Sequence, residues 1–252
     1  STGTVLGSVL IAILFAYEGW INVTPRVGEM KNQGKDLPKA FAGGILIIMA
    51  IYLLVNVAYL WVLPADQLKD CSSPAVAVAE VIFGPVGGKI IAAGILISVF
   101  GALNGFLLSG SRVAYTLGVQ KMIPGYKAFG KLNASDVPGN GVLLIGALAC
   151  IYALTGQFNL LTDLATFTGW VFYVMTFIAV IILRKTKPDI ERVYKVPLYP
   201  IVPGIAIVGG GFVLINQLFM AGSGPRMVAL AGIGITLIGL PIYLIMTRKK
   251  AE

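Results

Sequence analysis

The sequence predicts an all-α integral membrane protein, and three observations carry that reading. Of its 252 residues, 57% are hydrophobic and 12% charged, where a soluble domain would hold about 25% charged residues. Mean hydropathy is +0.88. The apolar residues gather into seven runs of crossing length, near 4–30, 40–63, 86–111, 141–157, 160–183, 199–221 and 226–247; a crossing helix needs about 17–25 residues. Residues 1–252 therefore read as a single transmembrane region of about seven spans, the first of them broken.

The first run begins as an ordinary span from Val5 to Phe15. Phe15-Ala16-Tyr17-Glu18-Gly19-Trp20 then places a tyrosine, a carboxylate and a glycine at bilayer depth. A charge at that depth is expensive and marks a functional position. Backbone that leaves the helix there is tolerated only where protein or a water-filled cavity surrounds it. An interrupted first span is therefore expected, and interrupted spans are how many transporters build a site. No cationic segment precedes the run and no cleavage pattern follows it, so it reads as a span and not as a signal peptide. Pro64, Pro85, Pro138 and Pro225 punctuate the ends of later runs. Between the second and third runs, Ser73-Pro74 followed by Ala75 to Phe83 fits a short helix with a serine cap and proline in its first turn.

Charge placement sets the expected orientation. Sixteen of the nineteen lysines and arginines, among them Arg26, Lys31, Arg112, Lys127, Arg184 and Lys249, fall in one alternating set of loops; Lys69, Lys89 and Arg226 fall in the other. The positive-inside bias puts the first set in the cytoplasm, the C-terminus inside and Ser1 outside. An outside terminus that opens directly on a span leads to the expectation that earlier spans precede it. The net charge of +8 is a topology signal on this reading and does not point to nucleic acid.

Several function classes fall away. Histidine is absent, which removes His-based metal sites and acid–base chemistry. Cys71 lies in a polar loop and Cys150 in an apolar run, and both read as unpaired thiols. There is no Ser/His/Asp set, metal cluster or phosphate-cradling glycine loop, so neither an enzyme nor a metal or other cofactor is expected. A seven-helix receptor fits the span count, but every lysine stands at a loop or span end, where none can hold a retinal.

Three motifs, in order, carry a family resemblance. The first is Phe15 to Trp20, followed by Gly28-Glu29-Met30-Lys31-Asn32 and Asp36-Leu37-Pro38-Lys39-Ala40. The second is Gly101-Ala102-Leu103-Asn104-Gly105, running to Ser111-Arg112. The third is Leu183-Arg184-Lys185-Thr186-Lys187-Pro188-Asp189-Ile190-Glu191-Arg192, then Tyr194-Lys195-Val196-Pro197-Leu198-Tyr199-Pro200. They resemble the sixth span and its loop, the eighth span, and the loop after the tenth span of permeases of the amino acid–polyamine–organocation superfamily. The branch they resemble is the L-type amino acid transporter-like exchangers and their bacterial relatives. The resemblance implies a LeuT-like inverted-repeat fold, here the second repeat plus two additional helices, matching spans six to twelve. It implies that the missing N-terminal spans of the transporter are a required partner, along with the lipid bilayer and an amino-acid substrate. It also implies a cell-membrane location and sodium-independent exchange or permeation by alternating access; a neutral L-amino acid is the expected substrate, because no unpaired acidic cluster calls for a cationic side chain. Proton-coupled symport is the alternative.

An unwound turn offers backbone carbonyls to an ammonium group, and a helix start offers amides and a positive dipole end to an anion. The resemblance assigns the ammonium contacts to carbonyls near Phe15, Ala16 and Glu18, and an extracellular gate to the Phe15 ring. The substrate-binding set is Phe15, Ala16, Tyr17, Glu18, Gly19, Trp20, Asn56, Ser98, Thr168 and Gly169. One class of relatives has asparagine where Gly169 stands, which weakens any reading of large-substrate selectivity. Three roles fit Glu18: satisfying the amides of the resuming helix, pairing with a cation, or carrying a coupled proton. Asn104, Thr166, Asn216 and Gln217 are expected to hydrogen-bond between helices. Glu29, Asp36, Arg112, Asp189, Glu191 and Arg192 are candidates for inter-loop ion pairs, with Glu29 and Arg112 the preferred gating pair.

Overall fold

A computed structural model describes residues 2–22, 32–192 and 194–251. The described residues are helical with no strand. Nine helices follow in order: α1 (Thr2–Ala16), α2 (Gln33–Val62), α3 (Ala65–Asp70), α4 (Pro74–Val119), α5 (Tyr126–Phe129), α6 (Gly139–Leu154), α7 (Phe158–Thr186), α8 (Ile201–Ile215) and α9 (Ser223–Ala251). A π-helical turn, Asn216–Met220, extends α8. Among the described residues six stretches are long and apolar enough to cross a membrane: Val5–Asn22, Gln33–Val62, Pro74–Val119, Phe158–Thr186, Ile201–Met220 and Ser223–Met246. Helix α6 has 16 residues, about 24 Å at 1.5 Å per residue.

The chain divides into two compact units. One holds residues 36–110. Helix α2 buries none of its residues, and its side chains Leu46, Ile47, Leu53 and Leu54 are all more than half exposed. In α4 the helical path breaks at Gly84, with φ 72° and ψ −174°. That φ is open to glycine and strained for other residues, and Pro85 then starts a new helical run. The short helix expected from Ser73-Pro74 to Phe83 is present up to this break, with Ala77 N–H donating to the Ser73 carbonyl at 3.1 Å. A side chain at Gly88 would collide with Glu80, so the corner is closely packed.

The other unit holds residues 1–35 and 111–252. Its core is Ile11, Phe167, Val213 and Ala229, with Leu10, Leu14, Val171, Phe212, Leu218 and Ile233 packed around them. These residues come from α1, α7, α8, the π turn and α9. Close crossings depend on small residues, as membrane helix packing requires. A Cβ at Gly210 of α8 would lie 2.7 Å from Val174 Cγ2 and 3.0 Å from the Trp170 ring. A side chain at Gly7 of α1 would overlap the Asn216 amide. Fully buried Asn216 donates from Nδ2 to the Gly3 carbonyl at 2.8 Å, which is the interhelical bond expected of it. In the π turn, Ala221 N–H donates to Asn216 O at 2.9 Å.

The link from α7 to α8 is built around Arg192. Its guanidinium donates to the carbonyls of Pro188, Ile190, Leu183 and Lys187 at 2.8–3.2 Å. The sequence suggested an inter-loop ion pair. The structure gives it backbone partners, Leu183 and Lys187 at the end of α7 and Pro188 and Ile190 in the loop that follows, where carbonyls attract a positive group. Arg184 stacks over Tyr199 at 4.1 Å.

Candidate functional site

The helical path of the first apolar run ends at Ala16, and residues 23–31, where the expected second half of the span falls, lie outside the described residues. Tyr17 N–H donates to Ile13 O at 3.1 Å, and Glu18 N–H donates to Phe15 O at 3.0 Å. The spacing thus falls from four residues to three. Gly19 then takes φ 121°, which carries the chain out of the helix. A 3-10 turn follows over 20–22, closed by Asn22 N–H to Gly19 O at 3.1 Å. Helix α1 therefore ends in a short non-helical link at the position where the apolar run contains a carboxylate.

Helix α7 holds that link. Tyr173 Oη donates to Glu18 Oε1 at 2.5 Å, between residues 155 apart in sequence. The Tyr173 ring lies 5.3 Å from Trp20 at an interplanar angle of 42°. It meets Trp170 edge-on at 5.7 Å. Phe15 meets Phe158, the first residue of α7, edge-on at 6.2 Å. Offset and edge-on aromatic pairs of this kind contribute about 0.5–1.5 kcal/mol beyond burial. Phe15, Glu18 and Trp20 are thus gathered against one face of α7, and Gly19 supplies the turn between them. Glu18, Trp20, Trp170 and Tyr173 are all half-buried.

The other sequence candidates are placed differently. The Thr168 side chain lies where α7 meets α9, with Oγ1 2.7 Å from the Cβ position of Gly232. A Cβ at the neighbouring Gly169 would meet nothing within 4 Å. Asn56 and Ser98 belong to the unit of residues 36–110. Asn56 donates to the Tyr52 carbonyl of its own helix at 2.8 Å, and Ser98 is exposed on α4. Arg112 is exposed, and Glu29 lies outside the described residues, as does its pairing with Arg112.

Sequence reasoning missed Tyr173, Trp170 and Phe158. A tyrosine or tryptophan in an apolar helix carries no local mark of its partner. The nearest signal was the half-buried carboxylate itself, which needs a donor from somewhere. Among the described residues no group of three or more Cys, Asp or Glu is placed to hold a metal ion.

Comparison with known proteins gives a consistent answer. A family model described as amino acid permease matches residues 1–246. The serine/threonine exchanger SteT of Bacillus subtilis (strain 168) is 40% identical over 248 residues, covering 98% of this chain and 56% of that protein. The b(0,+)-type amino acid transporter 1 of Rattus norvegicus is 28% identical over 251 residues, 98% of this chain and 50% of the relative. The large neutral amino acids transporter small subunit 2 of Mus musculus is 30% identical over 243 residues, 94% and 44% respectively. The chain spans about half the length of the curated relatives it matches. These relatives are transporters and not enzymes. A broken apolar first span, six helices of crossing length and a family match from end to end agree: the chain belongs to the amino acid permease family of the amino acid–polyamine–organocation superfamily, on its L-type transporter-like side.

Proposed function

We propose that this chain supplies the second half of an amino-acid substrate site, within a transporter that exchanges neutral L-amino acids independently of sodium by alternating access. The observation that carries this reading is the interruption of α1 at Glu18-Gly19, held by Tyr173 of α7. In the proposed complex the substrate ammonium meets carbonyls of Phe15, Ala16 and Glu18. Each carbonyl has two lone pairs, so one that serves a turn hydrogen bond has a second to offer. Phe15, braced by Phe158, closes over the substrate from outside. Thr168 and Gly169 line the path, and Glu29 with Arg112 works as an inner gate; an exposed pair of about 0–1 kcal/mol biases two states without locking either. The architecture is the second repeat of a LeuT-like inverted-repeat fold plus two helices, with seven crossings in the cell membrane and the C-terminus in the cytoplasm. The 16-residue α6 is one of those crossings. The missing spans hold the remaining substrate contacts.

The test is exchange in sodium-free proteoliposomes that hold this chain together with the N-terminal half of a relative such as SteT. The expected result is uptake of labelled L-serine or L-leucine that depends on unlabelled amino acid inside the vesicle and on both halves. Uptake into empty vesicles driven by an imposed proton gradient would replace exchange with symport. Tight, selective binding by this chain alone would overturn the shared-site reading.

A further inference from the structure

Asp163 is a carboxyl group in the second turn of α7 that the substrate site does not use. It is half-buried, and among the described residues it makes no hydrogen bond or ion pair. An ionisable group in an apolar span is expensive and marks a functional position. A second orphan lies on the neighbouring helix. Gln217, in the π turn that extends α8, is 3% exposed, and its Oε1 is buried with no hydrogen-bond partner. A buried acceptor left unmet calls for a donor, and π turns inside helices are frequent at functional sites.

Helix packing sets the two groups opposite each other. A Cβ at Gly210 would lie 2.7 Å from Val174 Cγ2 and 3.0 Å from the Trp170 ring, so the Trp170–Val174 face of α7 is the one that meets α8. Val213, later on α8, shares the core with Phe167, earlier on α7; the two helices run antiparallel. Asp163 is seven residues before Trp170, and Gln217 is seven residues after Gly210. Seven residues are about two turns, a step of about 10 Å that returns a side chain to the same face. Asn216, about 100° round the helix from Gln217, points to α1, where its Nδ2 donates to Gly3 O at 2.8 Å. Gln217 is thereby left facing α7 at the level of Asp163. Helix α1, helix α8 and the π turn carry no titratable side chain. In α9 the first-turn Arg226 is exposed and not paired with Asp163, and the other ionisable groups follow from Tyr243 onward. On α7 itself the next titratable group is Tyr173, ten residues on.

We propose that Asp163 and Gln217 form a proton site between α7 and the π turn: Asp163 takes a proton from water and donates it in a hydrogen bond to Gln217 Oε1. An ionised carboxylate has acceptors only, whereas the acid has one O–H donor, so a single bound proton satisfies both orphans. Loss of that proton sets two acceptors against each other and loosens the contact of α7 with the end of α8. The site is separate from the Glu18 turn and does not depend on the transport reading.

The test is made on the whole 252-residue chain in detergent. Wild type and Asp163→Asn, whose amide donates at every pH, should melt together at acid pH. As the pH rises and Asp163 ionises, wild type should fall below the variant by roughly 2–4 °C, as expected for loss of one hydrogen bond in a chain of this size. Reading the difference between the two proteins cancels the titration of other groups, and Arg226→Gln in both should leave that difference unchanged. Infrared difference spectra give a second readout: a protonated-carboxyl band at acid pH that is missing in Asp163→Asn and displaced in Gln217→Leu. Parallel melting at every pH overturns the proposal, as does a band that Gln217→Leu leaves in place. A wild type that gains on Asp163→Asn as the pH rises would show the Gln217 amide donating to an ionised Asp163, and a difference abolished by Arg226→Gln would give the carboxylate to Arg226; either result also overturns it.

Discussion

Glu18 and Gly19 divide one task between two neighbouring residues. Gly19 turns the chain at φ 121°, and Glu18 ties the turned chain to α7 through Tyr173. A Cβ at Gly19 would meet nothing within 4 Å, so Gly19→Ala is strained by its backbone conformation alone, at about 1–3 kcal/mol. The expected outcome is a lower melting temperature in detergent together with weaker amino-acid binding by the assembled halves. Gly105→Ala is the control. It sits in α4 with nothing within 4 Å of its Cβ position, where alanine favours the helix, and it should melt no lower than wild type. The carboxylate and glycine were legible because they interrupt an apolar run. Tyr173 was not, because its role depends on a residue 155 positions away and its own neighbours are those of any buried aromatic.

Helix α7 organises the unit in which the break lies. Its 29 residues extend about 43 Å and pack on α1, α8 and α9, so its two ends must be held firmly for Tyr173 and Phe158 to brace the break. The Arg192 fan does this at the C-terminus, where one planar guanidinium serves four carbonyls. A lysine ammonium is a point charge and cannot span them. Arg192→Lys should therefore speed hydrogen exchange at Lys187, whose N–H donates to Leu183 O at 3.1 Å, and at its neighbours in the last turn. Exchange in α9 should not change. Equal exchange in the last turn of both proteins would show that the fan does not hold the helix end. The sequence marked Arg192 as an ionic residue and could not show that its partners are backbone. The π turn at Asn216–Met220 was equally hidden, since Ile201–Met220 reads as one apolar span. An added residue in the ladder leaves no mark in hydropathy.

Few side chains are buried among the described residues. Ile11, Val78, Ala79, Ala114, Phe167, Val213 and Ala229 are the buried hydrophobic residues among those described, and large apolar side chains along α2 and α4 are exposed. An apolar surface of this extent suits lipid and further helices and does not suit water. If the chain is completed by an N-terminal half, adding that half should raise its melting temperature by mass action and slow hydrogen exchange in α2, which buries no residue here. Unchanged exchange in α2 would assign that face to lipid. The sequence by itself determined the class of protein, the family, and the place where the first apolar run leaves the helix. Each rests on composition and order along the chain: twenty apolar residues select a bilayer, and a charge among them stands out against that background. Only the tertiary structure decided what holds the break. Tyr173 on Glu18, Phe158 on Phe15, Asn216 on Gly3 and the close approach at Gly210 are meetings between helices far apart in sequence. Side chains on different helices meet according to crossing angle and rotation about the helix axis, and those follow from the packing of all the helices together.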